Sequence, residues 1–238
     1  MELVAKGLYR RFGGVRAVDG VDVTLREGET VGLCGSNGAG KTTLFDLLTG
    51  FARPDGGHIQ LDTGHGWLEL TGKPPYRFAR AGILRSFQQI RLYGDRTVAE
   101  NLELARMGCR QRCLREDAEG LLYELGLADV AERPAGELAY GPRRRVEIAR
   151  AIAGGARLLF LDEPAAGMGR EETADLAGQL TACQARRGLG MLLIEHDFDF
   201  LASICDRVYC MAEGKILREG PPARVFGDRA VRAALFGE

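Results

Sequence analysis

The sequence has neither a long apolar run nor an excess of basic charge. Its most apolar stretches, Leu158 to Leu161 and Met191 to Ile194, have the length of strands, whereas a membrane-spanning helix needs about 20 apolar residues. The formal net charge is −1, so bulk electrostatics do not favour binding to nucleic acid. The first residues lack the basic and then apolar pattern of a signal peptide. We therefore expect any work at a membrane to depend on a partner that spans it.

The spacing of the cysteines does not favour a metal site. Of the six cysteines, Cys109 and Cys113 lie four residues apart, as on one face of a helix. No histidine is near them in sequence, and no second cysteine pair has the spacing of a zinc ribbon. Without an export signal, the expectation is reduced thiols that pack in the interior.

Strand-like and helix-like patterns alternate at both ends of the chain. Of its 238 residues, 45% are hydrophobic and 27% charged, as in an ordinary globular domain. Val31 to Cys34 is a short apolar run that stops at a glycine-rich turn, and a helical pattern follows from Thr42 to Leu48. Near the other end, the two apolar runs named above flank a helical pattern from Glu171 to Arg186. This alternation predicts an α/β fold with a parallel sheet.

The middle of the chain has a different pattern. Residues 51–80 are rich in glycine and proline, which predicts hairpins and loops. Thr97 and Glu100 have the spacing of a capping box at the start of a helix. A second amphipathic stretch lies around Leu121 to Leu125, and a third helix is expected to begin near Pro142. The middle therefore predicts a helical insert in the α/β core.

The strongest motif is the segment Gly35 to Thr42, which matches G-x-x-x-x-G-K-[ST]. Its glycines let backbone N–H groups turn towards phosphate oxygens, and the following helix directs its positive dipole end at the same anion. Lys41 would reach the β- and γ-phosphates, while the hydroxyl of Thr42 would bind Mg²⁺. The strand–loop–helix context makes a chance match improbable, and the segment predicts nucleotide binding.

A carboxylate pair follows a buried strand pattern. Asp162 and Glu163 come directly after Leu158 to Leu161, where ligands bind in open α/β sheets. Asp162 would hold Mg²⁺ and Glu163 would deprotonate the attacking water. The alternative is that the pair only ends a strand. His196 follows the next strand pattern in the same way, where a polar group can sense the γ-phosphate, although a lone histidine there is usually structural.

Taken together, these motifs resemble the ABC (ATP-binding cassette) ATPase family from Phe12 to about Gly227. The resemblance implies a P-loop NTPase (RecA-like) core with an antiparallel β subdomain and a helical insert. It assigns residues 1–89 and 146–238 to the core with its β subdomain, and residues 90–145 to the helical subdomain. It also implies ATP and Mg²⁺ as cofactors.

The same resemblance implies roles for further residues. Phe12 would stack on adenine, with a core phenylalanine as the alternative, and Gln88 would touch Mg²⁺ and the attacking water. Leu138 to Pro142 lies at the place of the signature motif, LSGGQ in most members, which covers ATP held by a second cassette. The expected ATP ligands are Phe12, Gly35, Ser36, Asn37, Gly38, Ala39, Gly40, Lys41, Thr42, Thr43, Ala139 and Gly141. The expected Mg²⁺ ligands are Thr42, Gln88 and Asp162, and the expected catalytic residues are Glu163, His196 and Gln88.

Three positions depart from the family pattern. Ala139 replaces the usual serine and removes a hydroxyl, and Pro142 replaces glutamine and has no backbone N–H. Gly169 stands where a D-loop aspartate is expected. These changes predict an active cassette whose signature side is weakened. They fit a complex in which this chain pairs with a different cassette, although a homodimer stays open.

The residues within several motifs resemble one group of transporters inside the family. Ala139 to Gly141, Phe87 to Leu92, Glu163 to Met168 and the ending from Ala234 to Glu238 resemble ATPases of importers for branched-chain amino acids, amides and urea. The alternatives are a lipopolysaccharide-export ATPase, which shares the run Arg143 to Arg150, and a soluble ABC ATPase that acts on nucleic acid or ribosomes.

The resemblance implies several partners but no nucleic acid. They are a second ABC ATPase subunit, transmembrane permease subunits and, indirectly, a substrate-binding protein. The chain would then lie at the cytoplasmic face of the inner membrane as a peripheral subunit. Coupling to the permeases would run through a groove near Leu92 to Gly94, with Tyr93 as its best residue. An exposed loop aromatic without a role is the alternative for Tyr93.

Overall fold

The computed structural model describes residues 1–87, 89–108 and 118–236, apart from the side chain of Phe236. The predictions for Gln88, Cys109 and Cys113 lie outside the described residues. None of the described helices is long and apolar enough to cross a membrane.

The strands form two sheets. In chain order they are β1 (Glu2–Phe12), β2 (Val15–Arg26), β3 (Thr30–Gly35), β4 (Gly56–Asp62), β5 (Trp67–Glu69), β6 (Ile83–Arg85), β7 (Leu158–Asp162), β8 (Gly190–Ile194), β9 (Arg207–Ala212) and β10 (Lys215–Gly220). The smaller sheet has the order β2-β1-β4-β5 and is antiparallel. The larger has the order β10-β9-β3-β8-β7-β6, and all its pairs are parallel except β10 with β9. The carboxyl ends of β3, β6, β7 and β8 therefore meet at one edge.

The helices cover the larger sheet and connect its strands. They are α1 (Lys41–Leu48), α2 (Pro75–Arg80), α3 (Val98–Gly108), α4 (Ala118–Glu124), α5 (Tyr140–Ala153), α6 (Arg170–Arg187), α7 (Phe198–Ile204), α8 (Pro222–Phe226) and α9 (Arg229–Phe236). Short 3₁₀ turns occupy Ala128–Val130 and Ala135–Glu137.

Two apolar cores lie on opposite faces of the larger sheet, as the alternation of side chains along its strands requires. In β7, Leu158 and Phe160 join a core with α1 and the smaller sheet. Leu159 and Leu161 face the other core, built with α3 to α7. The continuous apolar runs that predicted buried strands thus arise because both faces are covered.

The predicted strands at Val31, Leu158 and Met191 are confirmed, as are the helices after Thr42 and Glu171. The capping box is confirmed as well: Glu100 N–H donates to Thr97 Oγ1 at 3.1 Å, and Thr97 N–H donates to a Glu100 carboxylate oxygen at 2.8 Å.

One further expectation was wrong in detail, and another is confirmed to within two residues. Residues 51–80 contain α2 besides hairpin strands, because Pro74 and Pro75 open a helix that buries Phe78. The third helix of the insert, α5, begins at Tyr140, two residues before Pro142 and therefore near it as expected, with Ala139 as its extended N-cap. A proline is tolerated two positions further in because the first-turn N–H groups lack intrahelical partners. The division of the chain at residues 89/90 and 145/146 stays a prediction, and α5 runs across the second of these boundaries.

Candidate functional site

The glycine-rich loop from Gly35 to Gly40 joins β3 to α1 and is fixed from two sides. Gly214 N–H, in the turn between β9 and β10, donates to Ala39 O at 3.0 Å. On the other side lies Ala17 in β2, whose carbonyl oxygen would be 2.0 Å from a Cβ placed on Gly40. Gly40 also has a φ of 103°, which side-chain-bearing residues rarely adopt. The loop therefore requires glycine at this position for both backbone angle and space.

Lys41 lies at the first position of α1 and is almost fully buried. Its Nζ donates to Gly35 O at 2.7 Å and to Ser36 O at 3.0 Å. Burial lowers the pKa of its ammonium group, while the nearby charges of Glu163 and Asp162 act in the opposite direction. The loop lysine and both predicted carboxylates therefore share one electrostatic environment, although they are more than 100 residues apart in sequence.

The carboxylate pair lies at the carboxyl end of β7, as predicted. Asp162 is 7% exposed, and burial raises the pKa of its carboxyl group, with the Arg85 guanidinium 3.6 Å away opposing that rise. Ser86 Oγ accepts from Asp162 N–H at 3.1 Å. The next residue, Glu163, has a φ of 47°, a left-handed conformation that costs a non-glycine residue about 1–2 kcal/mol. Strain of this kind clusters at functional sites.

Glu163 and His196 meet across neighbouring strands. The distance from Glu163 Oε1 to His196 Nε2 is 3.3 Å, and both side chains reach solvent. The contact forms because β7 and β8 are adjacent and parallel, and the two residues follow the respective strand ends. The geometry brings together a carboxylate that can accept a proton and an imidazole that can orient it.

Glu195 is a buried acid to which the sequence analysis gave no role. It is 4% exposed, accepts from Ala165 N–H at 2.8 Å and from His196 N–H at 3.1 Å, and burial raises the pKa of its carboxyl group. It thus fixes the loop after Glu163 to the start of the His196 loop. A carboxylate directly after an apolar strand was the available signal.

Arg85 at the end of β6 is a second residue that the sequence analysis missed. It pairs with Asp46 at 2.5 Å, donates to Thr49 Oγ1 at 3.3 Å, and lies over the rings of Phe45, Phe51 and Phe87. It therefore joins α1 to the buried carboxylate of Asp162. The available signal was a lone arginine directly after the apolar pair at Ile83 and Leu84.

The altered signature segment opens α5. Ala139 is exposed and extended, whereas Gly141 is buried, and a Cβ on Gly141 would lie 2.9 Å from Glu172 Oε1 in α6. Tyr140 is 45% exposed and lies beside Gly167 in the loop that follows Glu163. The segment is therefore presented at the surface, next to the loop that connects β7 to α6.

Phe12 ends β1 and is 52% exposed, which rules out the core alternative. The Arg10 guanidinium lies 4.8 Å from the centroid of its ring. The remaining predicted ATP ligands, from Ser36 to Thr43, line the glycine-rich loop and the first turn of α1.

The comparisons with known proteins agree with this arrangement. Residues 18–166 match the ABC transporter family. The chain is 39% identical over 253 residues to BraF, a high-affinity branched-chain amino acid transport ATP-binding protein of Pseudomonas aeruginosa, with 99% of this chain and 98% of BraF covered. It is 40% identical to LivG of Escherichia coli, which has the same description and the same coverage. The lipopolysaccharide export ATP-binding protein LptB of Haemophilus influenzae is 34% identical over 239 residues, covering 99% of this chain and 97% of LptB.

Among solved structures, the ADP conformation of MJ1267, an ATP-binding cassette of an ABC transporter, superposes with a TM-score of 0.87. It is 29% identical, and the match covers 100% of both chains. The sequence match, the fold and the grouping of the loop lysine with the carboxylates all lead to one conclusion. The chain belongs to the ABC transporter family and is one of its ATP-binding, ATP-hydrolysing subunits.

Proposed function

We propose that this chain powers the uptake of branched-chain amino acids or related small polar compounds. The observation that carries the proposal is the identity of about 40% to BraF and LivG along nearly the whole chain, against 34% to LptB. In this role the chain lies as a peripheral subunit at the cytoplasmic face of the cell membrane, and permease subunits span the bilayer. A binding protein would deliver the substrate to them.

The site residues receive the following roles in this proposal. Lys41 and the glycine-rich loop bind the phosphates of ATP, and the exposed ring of Phe12 stacks on adenine. Glu163 removes a proton from the attacking water, and His196, 3.3 Å from it, orients that carboxylate. The motif also assigns catalysis to Gln88, which lies outside the described residues.

The residues present fit Mg²⁺. A buried carboxylate at Asp162 and the hydroxyl of Thr42 are hard oxygen donors, which Mg²⁺ prefers. The bound ion would neutralise charge on the β- and γ-phosphates. This chain supplies Asp162 in a fixed place, because Ser86 holds its N–H and Arg85 lies beside its carboxylate.

A single substitution tests the hydrolytic assignment. Glu163→Gln keeps the volume and a hydrogen-bonding side chain but cannot take up the proton. We expect kcat to fall by roughly 10²- to 10⁴-fold, the usual contribution of a general base, while the affinity for ATP stays near the wild-type value. Glu119→Gln, at an exposed position on α4, is the matched control. Wild-type turnover in Glu163→Gln would remove Glu163 from its role.

In this proposal the permease docks beside the helical insert. A cavity of about 580 Å³ lies between the core sheet and the helical insert, here called the coupling groove, and its lining includes Tyr76, Arg80, Leu84, Phe87, Glu147 and Arg150. Tyr93 is 55% exposed and is not among its lining residues. The fully buried side chain of Asn101 accepts from Tyr93 N–H and donates to Tyr93 O, both at 3.0 Å, and so fixes the backbone of Tyr93.

A substitution of Tyr93 tests whether this residue takes part in coupling. We expect Tyr93→Ala to lose the stimulation of its ATPase activity by the permease. Full stimulation in this variant would show that Tyr93 has no role in coupling.

A second cassette completes the site in this proposal, because Ala139 and Gly141 would contact ATP held by the other subunit. The weakened signature favours a different cassette over a second copy. Purification of the native complex decides: two distinct cassettes support the proposal, and two copies of this chain oppose it.

Transport itself tests the substrate class. The complete complex, reconstituted in proteoliposomes with its binding protein, is expected to take up labelled leucine or a related small polar compound in an ATP-dependent way. Movement of lipopolysaccharide, or co-purification with nucleic acid or ribosomes in place of permeases, would replace the proposal with one of the other two functions.

A further inference from the structure

Helix α5 carries a buried ion pair that the roles above do not use. Arg144 and Glu147 are 1% and 2% exposed, and Arg144 Nη1 lies 2.7 Å from Glu147 Oε2. The pair lies just beyond the signature segment, in a helix that also buries Val146 and Ile148. Burying two charges is costly unless their remaining donors and acceptors are satisfied. The partners of this pair therefore matter more than its mutual attraction.

Those partners are backbone groups of the two neighbouring strand ends. Phe87, directly after β6, is held twice: Arg144 Nη1 donates to its carbonyl oxygen at 2.6 Å, and its N–H donates to Glu147 Oε1 at 3.1 Å. Arg144 Nη2 donates to the carbonyl oxygens of Asp162 and Glu163, the latter at 3.2 Å. One guanidinium thus ties the segment before Gln88 to the backbone of both site carboxylates.

The same residues reach the coupling groove. Phe87 and Glu147 line it, and the ring of Phe87 carries the Arg91 guanidinium 4.3 Å from its centroid. A permease segment that enters the groove and displaces Phe87 must also move the backbone of Phe87. Arg144 connects that backbone to Asp162 and Glu163. Arg144 Nε is buried without a hydrogen-bond partner among the described residues, so the link runs through its two Nη groups. Hydrogen-bonded side-chain networks of this kind can carry energetic coupling between sites.

We infer that the Arg144–Glu147 pair is a positioning device that couples occupancy of the coupling groove to the placement of Asp162 and Glu163. The inference rests on the proposed function, because it takes the groove as the docking place of the permease. Arg144 acts through the backbone of the carboxylates and does not touch the nucleotide. Its loss should therefore lower turnover, and the response of turnover to the permease, without weakening ATP binding.

If the ion pair only stabilises the fold, a different result is expected when it is replaced. Apolar residues of similar volume often replace a buried pair at no cost in stability. The double variant Arg144→Met with Glu147→Leu therefore separates the two readings, because it fills the space and removes the hydrogen bonds. The matched control is Arg106→Met with Glu103→Leu, which removes an ion pair of the same sequence spacing from α3 (3.0 Å) that lies partly in solvent.

The experiment uses the complete transporter complex in proteoliposomes. Three quantities are measured for each variant: the thermal unfolding midpoint of the purified chain, KM for ATP, and kcat with and without substrate-loaded binding protein. For the buried double variant we expect KM within two-fold of wild type and kcat in the stimulated state lowered roughly 3- to 30-fold, the range of coupling through packed networks. The α3 control should match wild type in all three.

A second variant keeps the inference testable. If the double variant fails to fold, Arg144→Lys takes its place, because lysine keeps the charge but cannot serve Phe87 and both carbonyl oxygens at once. A lowered kcat with unchanged KM in Arg144→Lys supports the inference, and wild-type stimulation in either folded variant overturns it. Absence of any stimulation in the wild-type complex would count against the proposed function itself, which keeps the two failures apart.

Discussion

Helices α1 and α5 each begin at a segment that the proposal assigns to ATP binding, the glycine-rich loop for α1 and the signature segment for α5. The two helix starts differ in how they are built. None of the described side chains caps either N-terminus, and neither first turn carries an acidic residue. By contrast, Thr97 and Glu100 cap α3, and Asp197 caps α7. The first-turn N–H groups of α1 and α5 are therefore left to other acceptors, which suits anion binding.

The supporting structure of the two helices is unequal. The loop before α1 is enclosed by Ala17 and Gly214, and Lys41 supplies a buried positive charge. The start of α5 lies at the surface, has Ala139 at its N-cap, and lacks one donor at Pro142. The difference suggests that binding of ATP by the single chain depends on α1, whereas α5 contributes only after a second cassette is present.

The largest effect is expected when the charge at each helix start is removed in turn, which tests whether α1 alone binds ATP in the single chain. Lys41→Ala should weaken nucleotide binding to the isolated chain roughly 10- to 100-fold, because a charge-assisted hydrogen bond contributes about 1.5–3 kcal/mol. Arg143→Ala, at the start of α5, should leave the dissociation constant unchanged. Titration with a fluorescent ATP analogue measures both. Equal losses in the two variants would show that α5 takes part in the monomer.

Alanine at one glycine of each helix start should have opposite effects. Gly40→Ala combines a φ of 103° with a backbone oxygen 2.0 Å from the new Cβ, so we expect a loss of about 1–3 kcal/mol in unfolding free energy and loss of ATP binding. In Gly141→Ala the obstacle is the flexible end of Glu172. Alanine's better helix propensity, about 1 kcal/mol over glycine, should offset that contact. Urea unfolding of both variants tests the contrast, and equal destabilisation would contradict it.

Ala139→Ser addresses the weak end directly. A serine N-cap accepts from the second or third N–H of a helix, and here the third residue is Pro142, so only the N–H of Gly141 is available. We expect a gain of about 0.5 kcal/mol for Ala139→Ser, the low end for capping, and a larger gain when Pro142→Gln is added. Urea unfolding of the single and double variants gives the two values. Identical values would show that the lost N–H of Pro142 does not limit this end.

The smallest effect concerns Glu195, which joins the loop beside Tyr140 to that of His196. Because burial raises the pKa of this carboxyl above its ordinary 4.5, its contribution to stability is fully present below that value and is lost as the pH rises through the folded-state pKa. The unfolding free energy of wild type minus that of Glu195→Gln should therefore fall as the pH rises. Urea unfolding from pH 4.5 to 8 measures it, and a constant difference would contradict the expectation.

Much of the fold was readable from local pattern. The runs at Val31, Leu158 and Met191 predicted buried strands because parallel strands are covered on both faces, and Thr97 with Glu100 predicted a helix start from side-chain chemistry alone. The start of α5 near Pro142 is confirmed to within two residues, but Ala139 and Tyr140 bear no local signal that would fix the first residue of the helix. Helix α2 was missed because Pro74 and Pro75 resemble a loop.

Some residues of the candidate site were predictable from the sequence and others were not. The sequence predicted Lys41, Asp162, Glu163 and His196, since motifs record contacts with the ligand. It did not reveal Arg85, Glu195 or the pair Arg144–Glu147. Their partners are backbone groups and carboxylates up to 77 residues away in sequence, the separation of Arg85 from Asp162. Only the folded arrangement brings these groups together.

The left-handed backbone of Glu163 has a consequence for how this protein responds to selection. Glycine adopts that conformation without cost, so Glu163→Gly should relieve strain even as it deletes the carboxylate assigned to hydrolysis. A search for more heat-resistant variants that scores only folding would therefore tend to discard the reactive group. Stability and turnover compete at this one residue, and a useful screen for this chain has to measure both.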